Sequence, residues 1–127
     1  MKIVNTPIAE IGFDETENIL YIKLFEGANM NMGNTLKHYE MINSLVGNKE
    51  YFAIIDASNY YTIERDAWEY AASKKVISLR KAVAHYNCSP ANRLTISIFK
   101  NSHKTATPFE IFDTKEEAIN WVKSLHS

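Results

Sequence analysis

The chain has little of what would staple, break or anchor it. One cysteine, Cys88, excludes an intramolecular disulfide framework and fits a reducing compartment. No apolar run approaches membrane-spanning length, and the opening Met-Lys-Ile-Val-Asn-Thr-Pro lacks the apolar core of a signal peptide, so a cytoplasmic location is expected. Fourteen Lys and Arg against fifteen Asp and Glu leave a formal charge of −1, without the basic footprint that nucleic acid or an anionic membrane surface requires. The four glycines (Gly12, Gly27, Gly33 and Gly47) stand apart, which excludes a glycine-rich phosphate loop. His38, His85, His103 and His126 are scattered and no Cys-x2-Cys spacing occurs, so neither a metal nor a cofactor is expected.

What is present is globular material, 46% hydrophobic and 23% charged, enough to bury the core of one domain over residues 1–127. Its clearest passage is the last twenty residues. Phe109, Ile111 and Phe112 form a short strand, and Thr114 and Glu117 have capping-box spacing. Ala118, Trp121, Val122 and Leu125 then recur as one helical stripe. Upstream, apolar stretches at 8–13 and 19–25 flank the polar turn 14–18 and predict an antiparallel hairpin. Leu36, Tyr39, Ile42 and Val46 place a helix over 35–46, stopped by Gly47. The uninterrupted run at 51–57 reads as a strand covered on both faces. A helix over 63–79 with Thr62 as cap follows, then a strand over 82–86. Ser89-Pro90 opens a further helix, against the preference of β-branched Thr95, Ile96 and Ile98. The order ββαβαβαβα is that of an α/β domain: one mixed sheet of about five strands and about four helices. The N-terminal hairpin is antiparallel and the later strands are parallel, because each βαβ step is a right-handed crossover.

In such sheets ligands favour the crevice outside the carboxyl ends of parallel strands. Asp56, Ser58, Asn59, Tyr60, Tyr61 and Thr62 follow one such end, and Asn87, Ser89 and Arg93 follow the next. Ser89 either opens an anion-holding helix start with Arg93 one turn on, or simply caps its own helix. Asp56 ends the most apolar strand, where it is either a desolvated, functionally poised carboxylate or, in its structural role, the acceptor of an Asx-turn to loop N–H groups. The paired tyrosines suit either stacking against a partner or packing beside the sheet. His85 and Cys88 are three residues apart with no third member, and read as structural rather than as a thiol–imidazole pair. No catalytic set emerges. Met30 and Met32 either form an adaptable lip or tuck under the first helix.

Four passages resemble the STAS-like group, the domains related to sulfate-transporter and anti-sigma-factor-antagonist modules, and in particular its small stand-alone bacterial members. They are Ile11-Gly-Phe-Asp-Glu-Thr-Glu-Asn-Ile-Leu-Tyr-Ile22, Ile54-Ile-Asp-Ala-Ser58, Ala82-Val-Ala through Ser89-Pro-Ala-Asn-Arg93, and Phe112 through Ala118 to Trp121. The resemblance implies a non-catalytic regulatory or protein-interaction module. Its partner would contact the loop at 58–62, the second helix and the start of the third, with Tyr60 and Tyr61 as anchors. It also implies a phosphorylated serine after the third strand. Here the segment runs Asp56-Ala-Ser-Asn-Tyr-Tyr-Thr-Ile-Glu-Arg-Asp66, without the family's Asp-Ser-Ser-Gly; Ser58 and Thr62 are the hydroxyls at hand, and Glu64 and Asp66 oppose added negative charge. The alternative is a carrier or sensor of a lipid-like or anionic small molecule, which needs an apolar pocket of about 300 Å3 or more. A two-fold homodimer is compatible with a domain of this size.

Overall fold

The computed structural model describes residues 1–102 and 107–125; His103 and His126 lie outside the described residues. Three strands open the chain, β1 (Ile3–Asn5), β2 (Ala9–Asp14) and β3 (Ile19–Leu24), each antiparallel to the next. The turn between β2 and β3 is built as its sequence predicts. Asp14 Oδ1 accepts from the N–H groups of Thr16 (3.0 Å) and Glu17 (3.2 Å), and Asn18 takes the left-handed backbone with φ 56°. Gly12 lies opposite Ile3, whose Cδ1 would stand 2.7 Å from a Cβ placed there, so the edge strand packs directly on bare backbone.

A short strand, β4 (Ala28–Met30), precedes α1 (Met32–Val46). The helix starts three residues earlier than predicted because Asn31 caps it, accepting from Asn34 N–H at 2.8 Å; it ends at Gly47, φ 62°. Thr35, His38, Ile42 and Val46 face inward, whereas Leu36, placed on the apolar face by its spacing, is exposed. Met30 is buried, packing into the core and lining a cavity between the sheet and the helices.

β5 (Tyr51–Asp56) continues the main sheet, and β6 (Tyr61–Ile63) pairs in parallel with β4 in a separate two-stranded sheet. The helix predicted over 63–79 is divided into α2 (Arg65–Ala71) and α3 (Lys74–Ile77). Thr62 is therefore a strand residue and Glu64 takes the cap position, without a side-chain bond to the helix. The break falls at Ser73, whose hydroxyl donates to the Tyr70 carbonyl at 2.6 Å and whose backbone is extended. β7 (Arg80–Tyr86) begins two residues before the predicted strand; α4 (Pro90–Ser102), β8 (Phe109–Phe112) and α5 (Lys115–Ser124) complete the order.

The main sheet runs β1-β2-β3-β5-β7-β8, with β3, β5, β7 and β8 mutually parallel. β5 is covered on both faces, as its run of apolar residues predicts. Ile54 clusters with Ala118 and Val122 of α5 on one side, and Ala53 with Ile42 and Val46 of α1 on the other. The α5 cap is the predicted box: Glu117 N–H donates to Thr114 Oγ1 at 3.2 Å, and Thr114 N–H to Glu117 Oε1 at 3.1 Å. Replacing Thr114 by Ala is expected to cost about 1 kcal/mol, read as a lower urea midpoint with an unchanged slope. An unchanged midpoint would show that the box contributes nothing net.

Candidate functional site

At the carboxyl ends of β3, β5 and β7 the chain makes a platform held by backbone carbonyls. Ala57 leaves β5 with its N–H on the Tyr86 carbonyl (3.1 Å), and its own carbonyl accepts from Ser89 N–H at 3.2 Å. The same carbonyl accepts from the Asn92 side-chain amide at 2.7 Å, and that amide donates again to the Asn59 carbonyl at 2.6 Å. Asn92 is 1% exposed, and it ties the β5–β6 loop to the first turn of α4. Across the loop, Asn59 Nδ2 donates to the Leu24 carbonyl (2.9 Å), Tyr60 N–H to Glu26 Oε2 (3.2 Å), and Gly27 N–H to the Tyr60 carbonyl (2.8 Å). The loop is thus fastened on one side to the end of β3 and the turn that follows it, and on the other to the first turn of α4.

The residues expected from the sequence divide on this platform. Asp56, Ser58, Asn59 and Ser89 are drawn together around Ala57. Asp56 makes the expected Asx-turn, accepting from Ser58 N–H at 3.0 Å. Ser89 takes the structural role of the two it offered: its hydroxyl accepts from Asn92 N–H at 3.2 Å and caps α4. Arg93 points to Asp113, Nη2 to Oδ1 at 3.1 Å, in a pair exposed enough to be worth little. Asn87 is exposed in a left-handed turn, φ 56°. The two tyrosines part company. Tyr60 is exposed at the loop tip, whereas Tyr61 turns inward on β6, and burial pushes its hydroxyl pKa up. Thr62 faces outward, its hydroxyl 3.3 Å from Asn29 Oδ1.

Asn92 is the organiser that sequence reasoning passed over. Its one visible signal is its position three residues after a capping serine, a spacing that also suits an ordinary helix residue. His85 is buried with its ring against Phe109, centroids 4.9 Å apart. Burial also raises the Cys88 thiol pKa, only partly opposed by Arg93, which leaves the sulfur protonated near neutral pH. Among the described residues, no three His, Cys, Asp or Glu side chains gather to hold a metal, and no helix is long and apolar enough to cross a membrane.

An antiparallel hairpin leading into parallel strands, with helices on both faces, is a SpoIIAA-like fold, the fold of the STAS and anti-sigma-factor-antagonist domains. A similar solved structure is an uncharacterized protein of the DUF3478 family with a SpoIIAA-like fold from Shewanella loihica PV-4. It superposes with a TM-score of 0.65 at 18% identity, covering 96% of this chain and 98% of that one. No curated protein matches the chain. The chain belongs to the family described as Domain of unknown function (DUF7793), whose model matches residues 13–126.

Proposed function

We propose that the domain is a non-catalytic protein-interaction module of STAS type, which holds its partner on the Tyr60 loop and the outer face of α4. One observation carries this reading: Tyr60, Leu94 and Ile98 are 51%, 64% and 49% exposed, and the Asn92 bonds join the loop that bears the first to the helix that bears the others. Leu94 and Ile98 lie four residues apart, so they share one helix face. Exposed aromatic and aliphatic side chains on a rigid support are what a protein contact desolvates to advantage.

The chemistry of the neighbouring groups favours contact over turnover. The Cys88 thiol is shifted away from the thiolate that a nucleophile needs, and the His85 ring lies in the interior. Phosphorylation of Ser58 is not part of the proposal. The half-buried Asp56 carboxylate accepts from the Ser58 N–H, and it would repel a phosphate on that side chain.

The test is a comparison of proteins recovered from the native host's extract by wild type and by a Tyr60→Ser/Leu94→Ser variant. Tyr61 is left intact, because its inward position makes it a folding residue. With the thermal melt unchanged, the variant is expected to recover a specific partner at a yield lower by about tenfold or more. Undiminished recovery of every wild-type partner would overturn the proposal.

A further inference from the structure

Beneath the platform, between the sheet and helices α1, α2 and α4, lies a partly open cavity of about 100 Å3. That is well below the roughly 300 Å3 expected of a pocket for a lipid-sized molecule. Its wall is mostly aliphatic and aromatic, with Ile22, Met30, Val83, Ile96 and Phe99 among the lining residues, and Arg80 and His85 line it too.

Arg80 is the anomaly. It is only 9% exposed, yet no carboxylate among the described residues pairs with it. Its guanidinium donates to the Ala71 carbonyl through Nη2 at 3.3 Å, and its Nε finds no partner. Nor does Nδ1 of His85, another group of the same cavity that is buried to more than nine-tenths. A register shift in the sheet brings the arginine inside. Tyr51 pairs with Arg80 but Phe52 with Ala82, so Lys81 is the extra residue. The irregularity turns Arg80 onto the face of Val83 and His85, while Lys81 goes outward to Glu50 at 3.1 Å. A buried charge without a counter-ion is costly, and one monoanion would remove that cost.

We propose that this cavity is a binding site for a small monocarboxylate with a short branched apolar tail, its carboxylate meeting Arg80 and His85. One guanidinium beside a neutral imidazole compensates a single negative charge. His85, in its Nδ1–H tautomer, donates a second hydrogen bond. A phosphate, with up to two charges to compensate, suits the site less well. The space would take about three waters, at roughly 30 Å3 each. It is smaller than the ~150 Å3 apolar cavity that admits benzene, which limits the tail to about three or four carbons. The site is separate from the Tyr60 surface, and the partner proposal can fail without touching it.

Isobutyrate, isovalerate and uncharged isobutyramide provide the test, titrated into 15N-labelled protein at neutral pH. Isobutyrate or isovalerate is expected to shift the amides of Ala53, Val83, His85 and Ile96 saturably, with a Kd on the order of 1 mM. Isobutyramide should bind at least about tenfold more weakly, the loss expected when the charge-assisted bonds are removed. Arg80→Met should abolish the carboxylate response. Should that variant not fold, Ala53→Leu fills the cavity with Arg80 retained and should abolish it equally. Equal binding of the amide would reduce the site to an apolar void and overturn the proposal. So would the absence of saturable shifts with either carboxylate, shifts confined to surface residues, or undiminished binding by the Ala53→Leu variant.

Discussion

Acidification from neutral pH to about pH 4.5 is expected to unfold the protein, with stability falling from just below pH 6.5. His38 and His85 are both buried, and burial lowers each pKa from 6.5 to about 3, helped at His85 by the positive charge of Arg80. In the fold both rings stay neutral; in the unfolded chain both take up protons below pH 6.5. The stability this difference protects is therefore complete above pH 6.5 and is lost as the pH falls toward about 3. Each histidine contributes a slope of up to about 1.4 kcal/mol per pH unit. Two of them over two units lose roughly 5 kcal/mol, comparable with the whole stability of a small domain. The groups around them do not reverse the sign. His38 Nδ1 lies 2.8 Å from the Thr6 hydroxyl, with the Tyr39 ring alongside, and His85 faces Arg80 and Phe109. Urea midpoints measured at half-unit steps of pH provide the check. In His85→Leu the slope below pH 6.5 should fall to about half of the wild-type value. A wild-type midpoint that stays flat from pH 7 to 5 would sink the prediction.

Much of this fold is legible in the sequence, for physical reasons that also explain the gaps. The 51–57 run and the 114–125 helix are recognisable because burial on two faces removes polar alternation, and because a capping box fixes a helix start residue by residue. Strands of three residues, such as 28–30 and 61–63, are too short to show a period, so Tyr61 and Thr62 looked like loop and cap. Ser73 interrupts a helix whose composition gives no warning, since its hydroxyl acts through a bond to the carbonyl three residues back. Arg80 is the hardest case. An arginine just past the end of the helix over 63–79 reads as a solvated cation at that helix's negative end, and only the register shift against β5 turns it inward. The candidate site follows the same division. Topology indicates which loops meet, while the opposite orientations of Tyr60 and Tyr61 and the tie made by Asn92 depend on side-chain direction, which spacing alone does not give.

Asn92→Asp is expected to be far more damaging than Asn92→Ala, although aspartate has nearly the shape of asparagine. The two groups that the Asn92 side chain meets at 2.7 and 2.6 Å are both carbonyl oxygens, so the position requires a donor of two protons. Alanine leaves the carbonyls of Ala57 and Asn59 without this partner and opens a small void, a loss of about 2–3 kcal/mol. Ionised aspartate instead places a buried charge against two like-signed dipoles, with an expected cost of about 3–5 kcal/mol or more. Protonated, it returns one donor of the two. The aspartate variant should therefore recover relative to the alanine variant as the pH is lowered, through a carboxyl pKa raised by burial. Comparing the two at each pH cancels the histidine contribution that they share. Urea denaturation at steps between pH 8 and pH 6.5, above the range where the histidine loss dominates, reads both effects, and an aspartate variant at least as stable as the alanine one at pH 7 would refute the donor role. The consequence for the surface follows from the same bonds. With the platform unfastened, the loop bearing Tyr60 loses its register against the helix bearing Leu94, so partner recovery should fall in a variant that alters neither contact residue.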